Sequence, residues 1–311
     1  MKICYLIQTH KNPQQICRLV YTIKRLAPSA QIIINHDFAS SNLENSLFLE
    51  LSGIKIIPSS VERERGNFSL VKSYLDVVHF LLEQQYDFDW LINLTGQDYP
   101  IQPLTEVEKL LGETDHDGFI EYFKVFSNQS PWGIREGYTR YFYQYKTLVK
   151  YLPSWQKRAL KPIKILNYLQ PFLRVNVSYG LTFGSRTLTP FQAGFDCYGG
   201  SYLCTLSRKC VEYLLQFVTE NPDFLEYYKN VSNPDESFIQ TILVNSQLFN
   251  LKNDCKRFFD FSHTQDGHPR ILSSTDLPAL AQSQAHFARK FDFANDAQVL
   301  DLIDQQLLQT T

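Results

Sequence analysis

The first hundred residues alternate short apolar runs with amphipathic stretches, and this rhythm restricts the fold more than any other feature. Lys2 to Gln8 reads as a buried strand. Asn12-Pro13 then marks a helix start, with Ile16, Val20, Ile23 and Leu26 on one face. Ile32-Ile33-Ile34 is a second strand ending in Asn35-His36-Asp37, and a helix around Leu43 to Leu51 leads to a third, Ile54 to Ile57. Gly66-Asn67 precedes a periodic helix through Phe68, Val71, Tyr74, Leu75, Val78, Leu81 and Leu82. A fourth strand, Trp90 to Leu94, runs into Thr95-Gly96-Gln97-Asp98-Tyr99-Pro100. A parallel pairing needs a crossover of helix length, so this order predicts a Rossmann-type α/β fold: a mostly parallel sheet with helices on both faces. Ligands of such sheets bind beyond the carboxyl ends of the strands. His10, Asp37 and Asp98 fall at or just past those ends.

The second half is less regular. Gly118 to Phe126 reads as a strand containing Glu121, and Tyr138 to Tyr145 as an aromatic segment containing Arg140. Lys157 to Lys164 reads as an exposed basic helix with a solvated face. Gly199-Gly200-Ser201-Tyr202-Leu203 enters a strand, and Ser207 starts a helix through Phe217. No repeat, low-complexity tract or linker divides the chain, so residues 1–311 are expected to form a single domain with a mixed C-terminal half.

Composition narrows the class. With 44% hydrophobic and 20% charged residues, the 311-residue chain has enough apolar material for a core and is not of disordered type. Its net charge of −2 offers no basic footprint for nucleic acid. The six cysteines form neither CxxC pairs nor zinc-ligand spacings, and several lie in apolar stretches where a reduced, buried thiol is expected. The start, Met1 to Ile7, is too short and too soon polar for a signal peptide, and no later run reaches membrane length. A cytoplasmic, disulfide-free protein is the expectation.

Chemistry concentrates in Pro234-Asp235-Glu236-Ser237-Phe238. Two acids in the first turn after a proline are ordinary helix-start signals, but one of them is also able to take a proton. Downstream lies the basic run His286-Phe287-Ala288-Arg289-Lys290-Phe291-Asp292. Arg270 and Lys290 offer a planar fork and a point charge, a combination suited to phosphate oxygens as well as to a solvated surface. Asp98 stands in Gly-Gln-Asp with no second acid two residues away, a weak metal site and an ordinary turn residue. Neither a Walker loop nor a Gly-x-Ser-x-Gly elbow occurs.

These blocks together resemble the core-2/I-branching β-1,6-N-acetylglucosaminyltransferase and peptide O-xylosyltransferase family, glycosyltransferase family 14. The likeness rests on Gly66-Asn67-Phe68-Ser69, Leu94-Thr95-Gly96-Gln97-Asp98-Tyr99-Pro100, Gly200-Ser201-Tyr202, Pro234-Asp235-Glu236-Ser237 and Phe287-Ala288-Arg289-Lys290-Phe291-Asp292. The resemblance implies a GT-A-like fold and an inverting transfer from a UDP-sugar, N-acetylglucosamine or xylose, without a metal. Residues 1–115 become the nucleotide-sugar half and 116–311 the acceptor and catalytic half. Glu236 matches the catalytic base, Lys290 and Arg270 the diphosphate-binding cations, Asp37 the uridine-binding acid and Glu121 an acceptor-binding glutamate. His10 and Asp98 are added on the donor side and Arg140 on the acceptor side. Phe261 stands where many relatives place an acceptor-side Trp, so the acceptor of the animal enzymes does not carry over.

The expected partners are a UDP-sugar and a glycan or lipid-linked glycan, with peripheral contact at the inner face of a membrane. A non-catalytic glycan-binding subunit is the rival reading. A glycosidase is a third, but adjacent Asp235 and Glu236 point about 100° apart on a helix and make a poor facing pair.

Overall fold

The computed structural model describes residues 1–309 apart from 65, 151, 178, 179, 263, 265 and 266. Strand β1 (Ile3–Thr9) is buried along its whole length. Helix α1 (Pro13–Leu26) leads to β2 (Gln31–His36), and β3 (Ile54–Pro58), α2 (Ser69–Glu83) and β4 (Trp90–Thr95) follow. Strands β1 to β4 are all parallel, in the order β4-β1-β2-β3. Next come β5 (Asp98–Pro100), α3 (Leu104–Glu113), β6 (Gly118–Phe119) and β7 (Phe123–Lys124). Then α4 (Ile134–Tyr141), β8 (Tyr143–Val149), α5 (Ser154–Leu160), α6 (Leu166–Leu169), β9 (Leu173–Asn176) and β10 (Leu181–Arg186) make a lateral unit. Its strands form a three-stranded antiparallel sheet, β8-β10-β9.

The chain returns through β11 (Tyr198–Gly199) and β12 (Thr205–Ser207), then α7 (Arg208–Glu220), α8 (Pro222–Tyr228), α9 (Phe238–Ser246) and β13 (Leu251–Lys252). Strand β12 runs antiparallel between β4 and β6, and β13 closes the edge, giving a seven-stranded sheet. Last are β14 (Arg257–Phe259), α10 (Leu277–Gln282), β15 (Phe287–Arg289) and α11 (Gln298–Gln309). Strands β14, β15 and β5 form a small separate sheet.

Successive strand residues point to opposite faces, and the core divides accordingly. Tyr5 and Ile7 pack with apolar residues of α1, α3 and α11, while Cys4 and Leu6 pack with those of α2, α7 and α9. Burial on both faces is why these strands read as continuous apolar runs. All six cysteines are free thiols. Among the described residues no helix is long and apolar enough to cross a membrane.

The structure departs from the sequence expectations in four places. Leu43 to Leu51 forms only a 3-10 turn, Asn45–Phe48, because Leu43 and Phe48 alone of that stretch are buried and no continuous apolar stripe exists. Gly118 to Phe126 is not one strand. It splits into β6 and β7 in different sheets, with Glu121 at the break. The strand expected from Gly199 ends at that residue, because Gly200 passes against the Glu121 carbonyl. The Pro-Asp-Glu acids occupy a separate 3-10 turn, Pro234–Glu236, ahead of α9 rather than its first turn.

Candidate active site

Strand order reverses at β1: β2 lies on one side and β4 on the other, which makes the crevice past their carboxyl ends the natural ligand site. Asp37 follows β2 and is buried there. Its carboxylate accepts from the Ala39 and Arg63 amides, both at 3.1 Å, and from the Ser40 hydroxyl at 3.2 Å. Burial pushes this carboxyl up, but those donors outweigh it and hold it below its usual range. A carboxylate has about four acceptor positions, so one remains open after these three bonds. Neighbouring His36 lies between the Thr9 hydroxyl at 2.7 Å and the Ser41 carbonyl at 2.8 Å. The carbonyl can only accept, so the ring is the tautomer with hydrogen on Nε2. His10 lies exposed beyond β1, its carbonyl accepting from the Ser41 hydroxyl.

Arg63 crosses this crevice. Its guanidinium donates to the Thr9 carbonyl at 2.9 Å and the Asn35 carbonyl at 2.7 Å, tying the ends of β1 and β2 together. Nothing in the sequence singled it out, because Glu62-Arg63-Glu64-Arg65 looks like a solvated charge run. Tyr202 entered only as part of the Gly200-Ser201-Tyr202 block, with no role attached. Its hydroxyl bonds Gln8 of β1 and the Leu70 carbonyl, placing a partly buried phenol in electrostatic reach of both Arg63 and Asp235.

Glu236 lies beyond that phenol. Its turn starts at Asn233, held in the left-handed region at φ 53°. The Asn233 amide bonds the Gly66 carbonyl at 3.0 Å, and its own carbonyl accepts from the Tyr141 hydroxyl at 3.0 Å. Beneath the turn, Tyr228, Ser237 and Thr241 share a buried hydroxyl network with contacts of 2.9–3.2 Å. The Glu236 side chain is one-third exposed and bonded to the Arg140 guanidinium. Arg140 also donates to Glu136 of its own helix, and its plane lies over the Trp132 ring, 4.1 Å from the centroid. Burial opposes the Arg140 charge, but Tyr141, Glu236 and Glu136 more than restore it, raising its pKa.

Glu121 joins this cluster. Its carboxylate accepts the Ser201 amide at 3.0 Å, while the Gly200 amide donates to the Glu236 carbonyl at 2.9 Å. Burial pushes the Glu121 carboxyl up; the Ser201 amide opposes this, and Asp254 and Glu236 push it further. Position 200 must be glycine, since a Cβ there would sit 1.9 Å from the Glu121 carbonyl oxygen. A cleft of about 880 Å³ opens alongside, between Gly66–Ser69 and Asn230–Ser232, with Lys72, Lys146, Lys150 and Lys229 on its walls.

The remaining candidates gather around β15. Lys290 is half-buried just past that strand, and its carbonyl accepts the Leu272 amide at 2.9 Å, which brings the Arg270 segment alongside. Gln15 of α1 donates to the Gly96 and Phe291 carbonyls, both at 3.0 Å, docking this segment at the end of β4. Arg270 is latched by Asp260 at 2.6 Å and by both oxygens of Asp276. Asp98 does not fit the donor-side role expected for it. It has no exposed surface, accepts the Thr95 amide at 2.6 Å and lies 3.4 Å from Arg289, so it pins β5 to β15 from within. Phe261 is half exposed and edge-on to Phe259 at 5.6 Å, and among the described residues no ring contact or hydrogen bond joins it to the Glu236 cluster.

The chain is 25% identical over 296 residues to the Arabidopsis thaliana beta-glucuronosyltransferase GlcAT14A, covering 90% of this chain and 59% of that protein. It is 24% identical over 334 residues to xylosyltransferase 2 of Rattus norvegicus, covering 99% of this chain and 34% of that one. The chain thus spans well under two-thirds of the length of these relatives. Among solved structures, mouse xyloside xylosyltransferase 1 aligns at 13% identity with a TM-score of 0.40, over 93% of this chain and 97% of that one. The model of the Core-2/I-branching enzyme family matches residues 3–281, and the chain belongs to that family, glycosyltransferase family 14.

Proposed function

We propose that the chain is an inverting glycosyltransferase that moves a sugar from a UDP-sugar to a glycan hydroxyl. The observation that carries this reading is the Glu236 carboxylate, one-third exposed, oriented by Arg140 and set beside Glu121 on the Gly200-Ser201 segment. The uridine occupies the crevice past β1 and β2, with Asp37 as acceptor and Arg63 and His10 at its edge. The acceptor hydroxyl lies against Glu236 and Glu121. As its oxygen bonds the anomeric carbon, its proton passes to Glu236. The bond from that carbon to the diphosphate breaks, and UDP leaves from the opposite face with the electron pair. Lys290 and Arg270 take up the charge that develops there, the electrostatic contribution that is commonly largest. The reaction needs no metal in this reading, which is supported by the full burial of Asp98 against Arg289 and the Thr95 amide.

The relatives' names add glucuronic acid to xylose and N-acetylglucosamine as donor sugars to test. Glu236→Gln retains an oxygen for the Arg140 bond, so fold and UDP binding are expected to survive. Turnover should fall by about 10²–10⁴-fold, the usual contribution of a general base. The test is UDP release from a panel of UDP-sugars, with and without chelator, beside calorimetric UDP binding. Undiminished turnover in Glu236→Gln overturns the assignment of the base, and dependence on a divalent ion overturns the metal-free reading.

A further inference from the structure

Charge is distributed very unevenly along this chain. Residues 143–188 contain eight Lys and Arg and no Asp or Glu, leaving 22 cations against 32 acids in the remainder. The segment is the lateral unit from β8 to β10, and its own buried core is small, formed by Leu152, Val175 and Val177. Its large apolar side chains lie mostly outside. Trp155, Ile165, Tyr168, Leu169, Phe172 and Leu173 are 51–73% exposed, on α5, the 3-10 turn after it, α6, the bend that follows and the start of β9. Interleaved with them are Arg158, Lys161 and Lys164, which make no ion pair among the described residues.

We propose that residues 155–173 are a docking surface for an anionic lipid bilayer. Basic side chains around exposed Trp, Tyr, Leu and Ile suit the lipid interface, where aromatic rings sit at headgroup level, aliphatic groups reach the acyl boundary and Lys stems extend to the phosphates. A nucleic acid or an acidic protein would use the charges but leave the aliphatic groups in water. The surface is also tied to the catalytic candidates. Arg135 of α4 lies 3.8 Å over the Tyr168 ring and donates to the Asn167 carbonyl, and Arg140, the partner of Glu236, lies on the same short helix. Docking here would set the cleft's orientation relative to a bilayer.

The test is co-sedimentation of the full chain with vesicles. Phosphatidylcholine vesicles containing roughly a third phosphatidylglycerol should retain it, pure phosphatidylcholine should not, and about 0.5 M salt should release it. Lys161→Gln with Lys164→Gln should weaken partitioning about 25-fold, at some fivefold per charge. Trp155→Ser with Leu169→Ser should weaken it as well. All four positions are surface ones, and circular dichroism checks the fold. Absence of vesicle binding by the wild type, or equal binding by wild type and both pairs of variants, overturns the proposal. So does a wild-type dimer that Trp155→Ser with Leu169→Ser splits without any vesicle binding, since a second copy of the chain would then cover the face.

Discussion

Gly200→Ala probes the catalytic cluster through its backbone. The added Cβ would stand 1.9 Å from the Glu121 carbonyl oxygen, 2.7 Å from its carbon and 3.3 Å from the Gln240 amide nitrogen. The first two belong to main chain, which cannot rotate away as a side chain could. Glu121 must therefore retreat by more than an ångström relative to Gly200, whose amide holds the Glu236 carbonyl and whose neighbour Ser201 holds the Glu121 carboxylate. Inserting one carbon into a filled site typically costs about 1–3 kcal/mol. At roughly 2–4 °C per kcal/mol, the melting temperature should drop by several degrees. Turnover should suffer more, because a displacement of about 1 Å can cost on the order of 10²-fold. UDP affinity, set on the other side of Tyr202, should stay near wild type. Thermal denaturation, UDP calorimetry and UDP release measure the three effects. A variant with wild-type melting temperature and turnover would refute the placement of Glu121 against Gly200.

Two further outcomes follow from named charges. Asp260→Asn removes one of the two acids that latch Arg270, and if that guanidinium faces the diphosphate, UDP affinity should rise by up to about fivefold, the scale of a surface pair; calorimetry showing unchanged or weaker affinity removes Arg270 from the donor site. Burial, aided by Arg257 and Lys256, brings His286 from 6.5 down to about 3. Between those values the unfolded chain binds a proton that the native one does not, so stability falls as pH falls through this window. The loss is about 2 kcal/mol at pH 5 and becomes complete near the lower value. Urea denaturation at pH 7.5 and 5 should show this loss in wild type and not in His286→Leu, and equal losses in both would mean the native ring is already charged.

What the sequence made legible follows from burial. Strands β1 to β4 are covered on both faces, so their Ile and Leu runs stood out, and the crossover rule then supplied their parallel direction, though not their order. The antiparallel unit at 143–188 was read as an aromatic segment and an exposed helix, because its strands face solvent on one side and its apolar residues do not alternate cleanly. Glu121 was found within an expected strand, yet its position depends on a chain break that two-residue strands do not announce. Glu236 was singled out from its motif and its resemblance, while the 3-10 geometry was hidden because Pro-Asp-Glu suits either helix type. Arg63 carried no signal at all. Its role comes from a loop returning over β1 and β2, a tertiary fact with no local signature.

Buried charge separates the catalytic candidates from the scaffold. Burying an ionised group carries a desolvation penalty that its partners must offset. At Asp98 the carboxylate has no exposed surface; burial pushes it up, with Arg289, the Thr95 amide and Arg257 opposing, and no solute reaches it. Such a group organises β5 against β15 and offers a ligand nothing. The Glu236 cluster differs in being open to solvent. Glu121 is pushed up by burial and by two nearby acids, with the Ser201 amide opposing them, and Glu236 keeps a third of its side chain in solvent. A scaffold gains nothing from holding two carboxylates in that state beside a left-handed Asn233 and an obligatory Gly200. In the proposed transfer an acceptor hydroxyl supplies what is missing: it donates to one carboxylate in the ground state and gives up its proton as it attacks. The partial exposure of Glu236 beside Glu121, set against the complete burial of Asp98, is therefore the physical ground for proposing the chemistry at the Pro-Asp-Glu turn and leaving the Gly-Gln-Asp turn to the fold.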